Sequence, residues 1–155
     1  MNTAFYSMFF RISQKLEKHS ILFLRVAIAF VYIWFGALKV IGLSPAEGLV
    51  EKTVFWFKPE IFVPVLGFAE VLIGLGFLFR KFLPYVIFIM LLHMAVTFVP
   101  FLVVPQDCFT QLPYEPTLIG QYIVKNVVLI AAAFVIAGNI SNRKQPISTL
   151  KRASK

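Results

Sequence analysis

Three ionisable residues, Glu70, His93 and Lys125, lie inside long apolar segments of this sequence. Glu70 is the clearest case, because it is the single charged residue in VLGFAEVLIGLGFLF, residues 65–79. A carboxylate, an imidazole and an amine can pair with one another, and they can also exchange protons with a bound ligand. We therefore take Glu70, His93 and Lys125 as the candidate catalytic residues.

The surrounding composition is that of a membrane protein. The 155 residues are 59% hydrophobic and 14% charged, and their mean hydropathy is +0.84. Soluble domains are about 45–50% apolar, so the core of a soluble domain of this size could not bury the additional apolar residues. Four apolar runs, at about 21–41, 61–79, 82–104 and 119–138, match the length of about 20 residues that crosses a bilayer. The sequence thus predicts an all-α, integral membrane four-helix bundle over residues 21–138.

Basic and acidic residues are segregated between the connecting segments. Ten of the fifteen Lys and Arg residues precede the first run, separate the second from the third, or follow the fourth. Five of the seven acidic residues instead lie in the 42–60 and 105–118 loops. By the positive-inside rule, this asymmetry predicts that both termini are cytoplasmic.

Both ends of the sequence have the composition of membrane-surface segments. In residues 1–20, apolar side chains lie on one helical face and basic ones lie largely opposite, which predicts an interfacial amphipathic helix. The basic tail, residues 139–155, is expected to contact anionic lipids. Such a tail could also bind nucleic acid or a protein, but no nucleic-acid-binding motif accompanies it, so we expect no nucleic-acid partner.

The position of each ionisable residue within its span predicts which of them meet. Glu70 and His93 are central in the second and third spans, and Lys125 is about 5 Å from the centre of the fourth. Lys39 is about 12 Å to the outer side of the first span's centre, and Arg25 about 9 Å to the inner side, so both are expected to snorkel. We favour a Glu70–Lys125 pair with His93 bonded to one of them. A Glu70–Lys39 pair and a neutral, protonated Glu70 are the alternatives.

Small and polar residues share helical faces with these groups. Gly67 and Gly74 lie on the Glu70 face, where small residues let neighbouring helices approach. The candidate substrate-binding residues are polar or aromatic positions close to the catalytic ones: Trp34, Lys39, Thr97 and Gln121. No metal site is predicted, because His93 is the one His in the spans and no CxxCH or HxxxH spacing occurs. The single Cys108 is interpreted as incidental.

Three stretches resemble the DoxX-like superfamily, and in particular the YkgB-like bacterial inner-membrane proteins. They are FVYIWFGALKVIGLSPAEGL at 30–49, LGFAEVLIGLG at 66–76 and GQYIVKNVVLIAAA at 120–133. The resemblance implies a four-helix bundle in the bacterial inner membrane. It also implies a redox or oxidative-stress setting, since one branch of the superfamily supplies a membrane subunit of a quinone-linked sulfur oxidoreductase.

Three functions follow as alternatives, and they leave open whether the protein is an enzyme. The first is a redox-associated protein that handles a quinone or another lipophilic molecule at the buried Glu/His/Lys layer. No flavin, haem or iron–sulfur motif is encoded, so electrons would come from a membrane or periplasmic redox partner protein. The second is a structural or accessory subunit of a membrane complex, and the third is a small proton-coupled transporter, which would have to form a homo-oligomer.

Overall fold

The structure, a computed structural model, describes residues 3–144 of the chain and the side chains of residues 5–140. Within this part, four helical segments are long and apolar enough to cross a membrane. Seven α-helices, a short 3-10 turn and two strands follow in the order α1 Thr3–Val40, α2 Glu47–Thr53, α3 Pro59–Leu78, the turn Arg80–Phe82, α4 Leu83–Thr97, α5 Pro100–Val103, α6 Pro105–Cys108, β1 Phe109–Gln111, β2 Glu115–Pro116 and α7 Leu118–Lys144.

The four long helices form an up-and-down bundle in which α1 packs against α3 along most of α3, while α4 and α7 complete the ring. The apolar core lies between them and contains Ile28, Phe77, Met90, Ala133 and Ile136. Most other large apolar side chains point outward, as expected for a surface that faces lipid. The predicted all-α four-helix membrane fold is confirmed.

Local sequence explains where α1 ends and α3 begins. Gly42 adopts φ of 70° just after α1, a backbone conformation that glycine tolerates without strain. The Leu43 amide then donates to the Leu38 carbonyl at 2.9 Å, which closes the helix in a Schellman-type cap. At the start of α3, Pro59 occupies the first turn, where its missing N–H leaves no helical hydrogen bond unmade.

The N-terminal segment differs from the prediction in one respect. Residues 1–20 were expected to form a separate helix, but α1 continues from Thr3 to Val40 without a break at residue 20. No proline precedes Pro45, and Gly36 is the first glycine, so nothing in the sequence interrupts the helix. At 1.5 Å per residue α1 is about 57 Å long, nearly twice a hydrocarbon core of about 30 Å. A location on the membrane surface stays a prediction for this segment.

The loops that join α1 to α3 and α4 to α7 form a small cap at one end of the bundle, which we call the Asp107 end. Proline residues divide the predicted 82–104 span into α4 and α5, and α6 follows at Pro105. The antiparallel pair β1–β2, which was not predicted, then leads into α7. The opposite end, which carries the 3-10 turn, is the Arg80 end. Residues 145–155, most of the predicted basic tail, lie outside the described part of the chain.

Candidate functional site

The buried faces of α1 and α3 repeat at intervals of four and three residues. This spacing puts one side chain per turn on the same side of a helix, so each helix presents a continuous stripe to the other. The stripes are Arg25, Ala29, Tyr32, Gly36 and Lys39 on α1, and Val63, Gly67, Glu70, Gly74 and Phe77 on α3.

Glycines fix the register between these two helices. A Cβ atom added to Gly36 would lie 2.6 Å from the Gly67 carbonyl oxygen and 3.0 Å from the Glu70 Cβ. A Cβ atom added to Gly67 would in turn lie 2.6 Å from the Gly36 carbonyl oxygen. Neither contact is sterically acceptable, so the two backbones approach closely because these residues are glycine. Glu70 is therefore level with Gly36, about one turn from Lys39.

Lys39, rather than Lys125, is the basic partner of Glu70. The Lys39 Nζ donates to Glu70 Oε2 at 2.6 Å, and the two side chains are only 11% and 8% exposed. The prediction of a Glu70–Lys125 pair is therefore wrong, and so is the expectation that Lys39 snorkels away. Depth counted from the ends of each span could not reveal this, because the Gly36–Gly67 contact sets the height of α1 against α3.

His93 links the Lys39–Glu70 ion pair to a fourth ionisable side chain, Tyr32. Its Nε2 lies 3.2 Å from Glu70 Oε1, and its Nδ1 lies 3.2 Å from the Tyr32 hydroxyl. His93 is therefore in contact with the ion pair, as predicted. We call Lys39, Glu70, His93 and Tyr32 the polar quartet. It joins three helices, with two members from α1 and one each from α3 and α4.

The contacts of the polar quartet are compatible with an ionised Glu70, a protonated Lys39 and a neutral His93. Glu70 accepts from Lys39 through one carboxylate oxygen, and His93 Nε2 lies 3.2 Å from the other. A neutral His93 with its proton on Nε2 can donate to Glu70 while Nδ1 accepts from Tyr32. This arrangement has no net charge, since one cation and one anion cancel. Among the described side chains, no buried nitrogen or oxygen lacks a hydrogen-bond partner, as a low-dielectric interior requires.

Tyr32 was not among the predicted site residues. It is 4% exposed, and its neighbours in sequence are aromatic and aliphatic, so composition alone does not single it out. The signal that could have found it is its spacing, seven residues before Lys39 and four before Gly36. That spacing puts Tyr32 on the same α1 face as both.

The remaining predicted catalytic residue, Lys125, lies on the outer surface of α7. Its Nζ sits 4.8 Å from the centre of the Tyr122 ring, a cation–π contact one turn closer to the start of the helix. The α7 face that packs inward instead carries Ile123, Ala133 and Ile136. Lys125 was predicted to face the interior of the bundle, and this prediction is wrong. The polar residue of α7 that turns toward the bundle is the next one, Asn126.

The predicted substrate-binding residues do not gather in one place. Lys39 belongs to the polar quartet, as described above. Thr97 joins α4 to α7, since its hydroxyl donates to the Met94 carbonyl and accepts from Asn126 at 3.2 Å. Trp34 points outward against Phe30, and an exposed Gln121 donates to the Pro116 carbonyl at 3.4 Å.

Arg25 departs from the role expected of it, and the surroundings of Cys108 are now defined. Arg25 does not snorkel: it is 4% exposed, and it donates to the carbonyls of Phe77 and Leu78 at the end of α3. Cys108, interpreted as incidental, is fully buried in the cap and has a free thiol. Burial and, to a lesser degree, the negative charge of Asp107 raise the pKa of this thiol, so it is a poor nucleophile at neutral pH.

Within residues 3–144, no three His, Cys, Asp or Glu side chains are grouped closely enough to hold a metal ion. The fold and the site together describe a multi-pass membrane bundle with a buried, charge-compensated network of titratable side chains. No family model, no curated protein and no solved structure matches this chain.

Proposed function

We propose that this is a redox-associated protein of the bacterial inner membrane, with both termini in the cytoplasm. In this proposal it binds a quinone or another lipophilic small molecule beside the polar quartet and exchanges protons with it. The observation that carries the proposal is the unbroken series of contacts from Lys39 through Glu70 and His93 to Tyr32 within a bundle of apolar helices. An ionisable group inside a membrane span is a functional-site hypothesis by default.

The chemistry of the polar quartet suits proton exchange. A quinone takes up two protons together with two electrons when it becomes a quinol, and the quartet supplies titratable oxygen and nitrogen atoms in hydrogen-bonding contact. A proton accepted by His93 on Nδ1 can be matched by release of its Nε2 proton toward Glu70, since the imidazole has two distinct nitrogens. The electrons would come from a membrane or periplasmic redox partner protein.

A second candidate function is that of a structural or accessory subunit with no chemistry of its own. The specific observation in its favour is the location of the Lys39–Glu70 pair beside the Gly36–Gly67 contact. Charges that are compensated at such a point can fix the register of two helices without touching a ligand. The two functions therefore predict different consequences of removing the Glu70 charge. The third alternative, a small proton-coupled transporter, stays an expectation from sequence.

The test is to purify the protein in a mild detergent and to identify extracted small molecules by mass spectrometry and absorption spectroscopy. We expect the unaltered protein to retain a quinone or a similar lipophilic molecule in near-stoichiometric amount. Glu70→Gln should reduce that amount about tenfold, because a hydrogen bond to a charged group contributes about 1.5–3 kcal/mol. Lys52→Gln is the matched control, since it removes an ion pair of nearly the same length in the cap.

Two results would count against ligand handling. One is that neither the unaltered protein nor the control contains a lipophilic molecule at a defined ratio. The other is that Glu70→Gln retains as much of it as the unaltered protein does. If Glu70→Gln in addition lowers the unfolding temperature while membrane assembly of a partner complex is impaired, the structural function explains the site.

A further inference from the structure

A second polar cluster lies at the Arg80 end, apart from the polar quartet. Arg25 is held there by two hydrogen bonds, from Nε to the Phe77 carbonyl at 2.9 Å and from Nη2 to the Leu78 carbonyl at 2.8 Å. These carbonyls end α3 and have no partner inside the helix, so Arg25 caps them. The two bonds also fix the plane of the guanidinium group.

The two hydrogen bonds to the end of α3 leave part of the Arg25 guanidinium without a partner. A guanidinium has five N–H donors, and the two bonds to α3 use one on Nε and one on Nη2. Among the described residues, no acceptor bonds to Nη1, and no buried side-chain nitrogen lacks a partner. Nη1 is therefore not completely enclosed, although Arg25 as a whole is 4% exposed. Its donors are already oriented, which reduces the entropy lost when a ligand binds.

A second guanidinium lies close by, with no acid to offset it. Arg80 begins the 3-10 turn two residues after Leu78, whose carbonyl Arg25 binds. Lys81 follows it in the same exposed turn. In the described segments at this end, Glu17 is the one acidic residue, and it lies on α1 about 12 Å along the helix axis from Arg25. Uncompensated cations at the same end of a bundle favour the binding of an anion there.

Apolar side chains flank these cations. Phe79 and Phe82, on either side of Arg80 and Lys81, are about half exposed and contact each other edge to face at 6.4 Å. A soluble anion would gain nothing from contact with the two phenyl rings, whereas an acyl chain would cover them and bury apolar surface. The cluster thus combines donors for a phosphate with an apolar surface beside them, at the end of two membrane-spanning helices.

We propose that Arg25 Nη1, Arg80 and Lys81 bind the phosphate of an anionic phospholipid, whose acyl chains lie against Phe79 and Phe82. Arginine suits this role because its planar donors match phosphate oxygens, and pairs of this kind are strong when partly shielded from water. Basic pockets between membrane helices are a recognised form of lipid-headgroup site. This inference is independent of the function proposed for the polar quartet.

Native mass spectrometry of the full chain in mild detergent can count bound phosphatidylglycerol as its concentration rises. Arg80→Gln/Lys81→Gln leaves the Arg25 cap of α3 intact, so the fold should be retained. We expect it to weaken binding about tenfold or more, as loss of charge-assisted hydrogen bonds implies. The matched control is Lys15→Gln/Lys18→Gln, which removes two exposed charges at least 10 Å along α1 from Arg25. Because salt screens charges beyond about 8 Å, the control should change the affinity less than threefold.

Two comparison ligands identify the source of the phosphate. Phosphatidylcholine should bind more weakly than phosphatidylglycerol, because its own cation neutralises the phosphate. Inorganic phosphate should not displace phosphatidylglycerol at equal concentration; if it does, the site recognises phosphate but its ligand is a soluble anion. The proposal is overturned if the Arg80/Lys81 variant binds phosphatidylglycerol as well as the unaltered protein does, or loses no more affinity than the control.

Discussion

Two ion pairs in this protein have nearly the same length but very different surroundings. Lys39 and Glu70 approach to 2.6 Å inside the bundle, where their side chains are 11% and 8% exposed. Lys52 and Asp107 approach to 2.7 Å in the cap, where the corresponding exposures are 61% and 24%. The first pair is also bonded to His93, whereas the second joins α2 to α6 at the surface.

The comparison shows that distance alone does not tell how much an ion pair contributes. At the surface, water solvates each partner when the pair breaks, so such pairs contribute about 0–1 kcal/mol. In the bundle interior, an ion that loses its partner stays buried without compensation. The buried pair therefore constrains which helices can assemble, and the exposed pair does so only weakly. Substitutions at the two pairs can test this difference directly.

The largest effect is expected for Lys39→Ala, which leaves the Glu70 carboxylate buried without its cation. We expect a loss of about 3–5 kcal/mol in the free energy of unfolding, measured by titration of the detergent-solubilised protein with a denaturing detergent. The loss should persist at high salt, since screening is weak inside the bundle. An effect below about 1 kcal/mol would mean that Glu70 does not depend on Lys39.

A smaller effect is expected when both charges are removed together. Lys39→Met/Glu70→Leu replaces the pair by apolar side chains of similar size, and His93 alone loses a partner. The double variant should lose about 1–2 kcal/mol, less than Lys39→Ala alone, because no unpaired charge remains. The same titration measures it. A double variant less stable than the single one would show that the carboxylate is stabilised by groups other than Lys39.

Tyr32→Phe should have a still smaller effect. It removes the hydroxyl that is hydrogen-bonded to His93 Nδ1 but keeps the ring and its packing. We expect a loss of about 1 kcal/mol in the free energy of unfolding, the usual contribution of one hydrogen bond. Nitrogen-15 NMR of His93 should report the altered environment of Nδ1. An unchanged Nδ1 signal would place Tyr32 outside the hydrogen-bonded network.

The smallest effect is expected for Lys52→Ala in the cap. Because both partners are partly hydrated, the free energy of unfolding should fall by less than about 1 kcal/mol, and high salt should abolish the difference. The same titration, run at low and high salt, measures both. If Lys52→Ala proves as damaging as Lys39→Ala, burial is not what distinguishes the two pairs.

The fold was largely predictable from sequence, because hydropathy and charge placement act within each segment. The four spans follow from runs of apolar residues, and each observed helix lies within a few residues of the predicted one with three exceptions. These are the extension of α1 to Thr3, the extension of α7 to Lys144 and the division of the third span at Pro100. Glu70 and His93 could be recognised as buried partners because each is central in its own span.

The partner of Glu70 could not be predicted in the same way, because it depends on how two helices slide and rotate against each other. The Gly36–Gly67 contact fixes the position of α1 along α3 at which Lys39 meets Glu70. The packing of the apolar face of α7 against the bundle leaves Lys125 on the outer surface. Both effects are contacts between helices, which spacing within one helix does not specify. The two hydrogen bonds from Arg25 to the last carbonyls of α3 depend on the same register between α1 and α3.

The central claim, that Lys39 and not Lys125 compensates Glu70, can be tested most directly by double-mutant cycles on the free energy of unfolding. The cycle of Lys39→Ala with Glu70→Gln should give a coupling energy of about 2–3 kcal/mol, because the residues are in contact. The cycle of Lys125→Ala with Glu70→Gln should give less than about 0.5 kcal/mol, as expected for separate sites. Coupling to Lys125 that equals or exceeds coupling to Lys39 would contradict the account.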